Sequence, residues 1–125
     1  MTIEELKIIL DKVYDKDTAH PMWRVKWSKS NPTYGQCVPT ALLVQYYFGG
    51  EIYKHNLEQH YFNLINGEVV DLTKEQFNYM LDYSNSKSKQ PNLEISQTLE
   101  RYELLKKRVE IYIKENNYGR RLRIL

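Results

Sequence analysis

The chain has 125 residues, enough for one domain that buries its own core without a metal or a disulfide. Apolar types at 42% and charged types at 27% exclude intrinsic disorder, collagen-like repeats and a coiled-coil rod. A net charge of +2 calls for neither nucleic acid nor a membrane surface as partner, and no apolar run approaches the ~18 residues of a membrane span.

Thr2 and Glu5 form a capping-box pattern, and Ile3, Leu6, Ile9, Leu10 and Val13 follow at helical spacing, which predicts a helix over 3–14. Residues 15–36 hold Pro21, Pro32, Gly35, Trp23 and Trp27 among polar side chains. This reads as a long loop packed down by its two indoles. A second helix starts at Gln36 or Cys37, because Pro39 is tolerated only in a first turn, and it ends at Gly49-Gly50. It carries the single cysteine at its N-terminus.

Residues 51–54 read as a short strand. The runs 59–65 and 68–72 flank Asn66-Gly67, the strongest short-range hairpin signal. Thr73 and Gln76 suggest another capping box opening a short helix through Phe77 and Met80, followed by a polar loop over 84–92. A long helix spans 96–116 with an apolar stripe of Leu99, Tyr102, Leu105, Val109 and Ile113. Gly119 then ends it, and 122–125 would add an edge strand. The expectation is a single α+β domain over 1–125: a small antiparallel sheet packed by the cysteine-bearing helix and the long C-terminal helix.

Cys37, His60 and Asp71 form the candidate site. A thiol at a helix N-terminus faces unpaired backbone N–H groups and the positive end of the helix dipole, both of which favour the reactive thiolate. In a hairpin with a two-residue turn, Phe62 faces Asp71, so Asp71 is the diagonal neighbour of His60 and can orient its ring. The same face carries Phe62, Leu64 and Val69 and is expected to pack toward the cysteine helix, with Asn63 on the other side. Taken singly, a lone cysteine is more often a small buried hydrophobe, and a lone histidine a satisfied structural one. The constellation is what points to a nucleophile with its base. The spacing of His20, His55, His60 and Cys37 fits no metal site, and no Gly-rich phosphate loop follows a strand, so no cofactor is expected. The basic clusters Lys106-Lys107-Arg108 and Arg120-Arg121-Arg123 read as solvated charge, the first lying on a helix that also carries Glu100, Glu103 and Glu110. The free thiol and an N-terminus without a basic leader region fit a cytoplasmic setting.

Trp27-Ser28, Asn31-Pro32, Gly35-Gln36-Cys37, Thr40-Ala41-Leu42 and Gly49-Gly50-Glu51-Ile52 resemble the YunG-like family of small uncharacterised bacterial proteins. So do His60-Tyr61, Asn63, Asn66-Gly67, Asp71-Leu72-Thr73, Gln76-Phe77 and Arg101-Tyr102-Glu103-Leu104-Leu105, a match over most of residues 17–109. More widely, Cys37, His60 and Asp71 occur in the order found in papain-like and transglutaminase-like thiol enzymes. That resemblance implies a papain-like or transglutaminase-like core and a Cys-His-Asp triad. It also implies an oxyanion amide six residues before the cysteine, where Asn31 replaces the usual glutamine; Gln36 is the other amide nearby. The expected function is a cysteine-dependent hydrolase or transferase of an amide, isopeptide or thioester, acting on a peptide or a small acyl substrate. The alternative is a non-catalytic binding protein whose tyrosines and tryptophans form the contact surface.

Overall fold

The fold is that of a computed structural model, which describes residues 1–116; the expected stop at Gly119, the basic cluster Arg120-Arg121-Arg123 and the edge strand at 122–125 lie outside them. Helix α1 covers Ile3–Val13 and opens with the full capping box: Thr2 Oγ1 accepts from the Glu5 N–H while the Glu5 carboxylate accepts from the Thr2 N–H. Helix α2 spans Cys37–Phe48 and stops at Gly49, whose φ of 75° suits a residue without a Cβ. Its residues Pro39 to Val44 are buried in succession rather than on one stripe. That is the mark of a central helix. One side meets α3 (Thr98–Glu115), and the other meets strands β1 (Glu51–His55) and β2 (Tyr61–Ile65).

Leu6, Ile9 and Leu10 of α1, Leu43 and Val44 of α2 and Leu105 and Val109 of α3 make the main core. Ala41, Leu42 and Ile52 form a smaller cluster between α2 and the sheet. The stretch between α1 and α2 is organised by two 3-10 turns, Lys16–Thr18 and Pro21–Lys26. Trp27 does anchor it: the indole is buried and its Nε1 donates to the Pro32 carbonyl at 2.9 Å.

The Asn66-Gly67 turn has φ values of 51° and 81°, the type I′ geometry that matches the strand twist. It sets the register of β2 against β3 (Glu68–Val70) as expected, with Ile65 opposite Glu68, Leu64 opposite Val69 and Asn63 opposite Val70. The sheet is antiparallel with the order β3-β2-β1-β4, where β4 is Ser86–Ser88. Strand β4 falls in the stretch expected to be a polar loop. It has no apolar alternation, because an edge strand paired only with β1 needs backbone partners and no buried face.

Three further expectations change. The short helix after Thr73 is a single 3-10 turn, Lys74–Gln76, without a side-chain cap, since the Gln76 amide bonds the Thr73 carbonyl and hydroxyl instead. Helix α3 buries Arg101 rather than Leu99, which is 42% exposed. The side of the sheet facing α2 carries Ile52 and Asn63, whose Nδ2 donates to the Ala41 carbonyl at 2.9 Å, while Val69 is largely exposed. Phe62, on the other side, is covered edge-on by Tyr83 with ring centroids 4.9 Å apart. The hairpin register is right, but the face assigned to the cysteine helix is the opposite one.

Candidate functional site

Cys37 is the first residue of α2, His60 immediately precedes β2, and Asp71 immediately follows β3. Because β2 and β3 run antiparallel, the start of one and the end of the other lie at the same end of the sheet. The cluster therefore forms at that end rather than across a sheet face. His60 is fully buried, flanked by Phe62 at 6.4 Å in a stacked arrangement and by Phe77 at 4.8 Å edge-on.

Its Nε2 lies 2.7 Å from Asp71 Oδ2. A carboxylate can only accept, so Nε2 carries a proton, and Nδ1 is the ring nitrogen that gains or loses one. The same Oδ2 accepts from the Tyr83 hydroxyl at 2.8 Å, and Oδ1 accepts from the Thr73 N–H at 3.2 Å, which holds the carboxylate plane. On the other side of the ring, Gln76 Nε2 lies 3.3 Å from Nδ1. That amide nitrogen also donates to the Thr73 carbonyl at 3.1 Å, which fixes the orientation of the amide, since two carbonyl oxygens would repel.

Burial opposes a charge on His60, but the Asp71 hydrogen bond and the nearby Cys37 thiol outweigh it and push the imidazole up to about 9. Cys37 is 8% exposed. Its Sγ lies 3.9 Å from the Gln59 carbonyl oxygen, at the outer limit of a sulfur hydrogen bond. The N–H groups of Cys37 and Val38 fall in the helix's first turn, where no intrahelical acceptor exists.

A cavity of about 400 Å³ opens beside Cys37, lined by Gln59, Tyr61, Gln76, Trp23, Ile95 and Arg101 among others. The volume suits a small molecule. Asn31 and Gln36, the amides expected near an oxyanion, do not line it. Asn31 closes a tight turn by bridging to Ser28, and the buried Gln36 donates to the Asp15 carbonyl at 2.9 Å. Of the two indoles, Trp27 packs the loop while Trp23 forms part of the cavity wall.

Sequence reasoning misses Gln76 and Arg101. Gln76 reads as a cap residue, and only the absence of a following helix frees its amide for the imidazole. Arg101 enters the sequence reading only as part of the family-like run 101–105, with no role of its own. The available signal is its position one turn before the buried Leu105, on the stripe that packs inward.

Among the described residues, no group of three or more His, Cys, Asp and Glu side chains could hold a metal ion, and no helix is long and apolar enough to cross a membrane. The fold and site thus define a class: a small α+β protein with a four-stranded antiparallel sheet, a cavity lined in part by Cys37, and a His60–Asp71 pair at one end of the sheet. The YunG protein family matches residues 2–114, and the chain belongs to it. It is 33% identical over 106 residues to the uncharacterized protein YunG of Bacillus subtilis strain 168, covering 83% of this chain and 88% of that one. No solved structure matches.

Proposed function

We propose that the protein is a cysteine-dependent acyl-transfer enzyme acting on an amide or thioester, with Cys37 as nucleophile, His60 as base and then acid, and Asp71 as the group that orients the ring. The observation that carries this reading is the 2.7 Å contact between His60 Nε2 and Asp71 Oδ2, which leaves Nδ1, approached by Gln76 Nε2 at 3.3 Å, as the ring nitrogen that can exchange a proton with a thiol at a helix N-terminus.

In the reaction, Nδ1 takes the thiol proton while Sγ forms a bond to the substrate carbonyl carbon. The carbonyl electron pair moves onto oxygen, where the first-turn N–H of Cys37 supports the negative charge. On collapse, the bond to the leaving amine or thiol breaks and the imidazolium gives it the proton. The Cys37 thioester then passes its acyl group to water or to another acceptor, with His60 removing that acceptor's proton. Asn31 and Gln36 have no part in this scheme, since neither lines the cavity. The order of cysteine, histidine and aspartate along the chain supports a papain-like relationship, and a reducing cytoplasm would keep the thiol free.

The second reading, a binding protein that uses the same cavity without chemistry, draws on the 8% exposure of Cys37. An electrophilic thioester probe separates the two. The enzyme reading expects covalent labelling of native Cys37 that falls at least about tenfold in His60→Ala, a loss smaller than general bases typically supply. A native cysteine that stays unlabelled until the chain is unfolded sinks it.

A further inference from the structure

Arg101 is 2% exposed, yet no carboxylate answers its charge among the described residues. Its Nε donates to the Ser96 carbonyl at 3.1 Å and its Nη1 to the Thr18 carbonyl at 3.3 Å. Nη2 is buried without any partner. Buried charges are ordinarily paired, because an ion taken out of water loses its hydration and needs compensating partners. The surroundings sharpen the anomaly. Arg24 lies close by and spends its guanidinium on the Ala19 and Asp17 carbonyls and the Gln97 amide. Asp17 turns its carboxylate to Arg108, in a two-pronged contact at 2.6 and 2.7 Å. His20, on the same cavity wall, is held below its ordinary range by burial and by the charges of Arg101 and Arg24. Arg101 thus brings to the cavity wall a desolvated charge that no carboxylate among the described residues answers, and Cys37 lines the same cavity.

We propose that the cavity takes a small molecule carrying a carboxylate, which Arg101 binds through Nη1 and Nη2 with the acyl group presented to Cys37. The two nitrogens keep uncommitted protons in the planar fork that matches a carboxylate. A volume of about 400 Å³ holds a compact ligand and not a folded partner. The apolar Trp23 and Ile95 on the wall suit the carbon chain between the two ends. The inference rests on the acyl-transfer reading for calling the ligand a substrate, and its anion site is tested without any reaction.

The wild-type protein is titrated with succinate, inorganic phosphate and neutral succinamide while amide resonances are followed by NMR. Succinate is expected to shift Cys37, Ser96, Thr98 and Arg101 saturably, at least about tenfold more tightly than succinamide, because a charge-assisted pair is lost with the neutral amide. Arg101→Lys, which keeps the charge but not the fork, is expected to weaken succinate several-fold. Equal response to succinate and succinamide, or no response to either, overturns the proposal. Tighter binding of phosphate than of succinate overturns the carboxylate assignment. If succinate binds but Cys37 resists every acyl probe, the anion site stands and the acyl-transfer reading falls.

Discussion

His60 and Asp71, eleven positions apart in sequence, meet at 2.7 Å at the end of the sheet where β2 begins and β3 has just ended. The hairpin between them brings this about. A two-residue turn fixes the register, and the register puts the residue before one strand beside the residue after the other. The result is an imidazole whose Nε2 is committed to Asp71 and whose Nδ1 meets the Gln76 amide.

Asp71→Asn and Gln76→Leu should move the His60 pKa in opposite directions. In Asp71→Asn the amide oxygen would accept the Nε2 hydrogen bond without the carboxylate's negative charge, so the pKa should fall from about 9 toward the ordinary histidine range. In Gln76→Leu a donor that bonds the neutral ring at Nδ1 is lost, which should raise the pKa. NMR titration of the His60 ring protons in the two variants measures both shifts. A fall in Gln76→Leu would contradict the assigned proton positions.

Stability should depend on pH through the same group. The folded pKa of His60, about 9, lies above the ordinary value of 6.5, so the folded state binds the proton more tightly than the unfolded chain. Its contribution is fully present below about pH 6.5 and is lost as pH rises through about 9. Urea midpoints of the wild type and His60→Gln, compared from pH 6 to pH 9.5, should converge toward the alkaline end, by on the order of 1 kcal/mol or more. A gap that widens with pH contradicts the assignment.

Neighbouring glycines should differ sharply. A Cβ at Gly50 (φ +79°) would sit 2.5 Å from the Leu64 carbonyl oxygen, a backbone atom held in the β1–β2 ladder. At Gly49 (φ +75°) a Cβ meets nothing within 4 Å. Gly49→Ala should therefore cost only the strain of its φ 75°, ψ −152° backbone, about 1 to 2 kcal/mol. Gly50→Ala, which adds a clash that the sheet must absorb, should cost about 3 kcal/mol. Chemical denaturation of both variants tests the ordering.

The inward stripe of α3 gives a parallel test. Leu105 is fully buried and Leu99 is 42% exposed. Leu105→Ala should lose about 3 kcal/mol of unfolding free energy, and Leu99→Ala about 0.5 kcal/mol or less. Comparable losses would mean that Leu99 packs as the sequence pattern suggests.

What can be read from residues alone is what short-range stereochemistry controls. The Thr2/Glu5 box, the first-turn Pro39 and the Gly49 stop mark the ends of α1 and α2, because caps and proline act within one turn. Asn66-Gly67 specifies a type I′ turn, and with it the β2–β3 register and the approach of Asp71 to His60. The long-range features are those that no local pattern encodes. Strand β4 exists because β1 offers a free edge, so its Ser-Lys-Ser composition carries no signal of burial. The sheet face that meets α2 is set by the packing of Ile52 and Asn63 against that helix, against the apolar count on the opposite face, where Tyr83 covers Phe62. Arg101 sits in the interior because the segment around Thr18, distant in sequence, packs against the local segment that supplies the Ser96 carbonyl, and the two carbonyls hold it. Its uncompensated charge beside Cys37 emerges only when those segments close around a common cavity, since burial and missing partners are properties of three-dimensional neighbours and not of residue type.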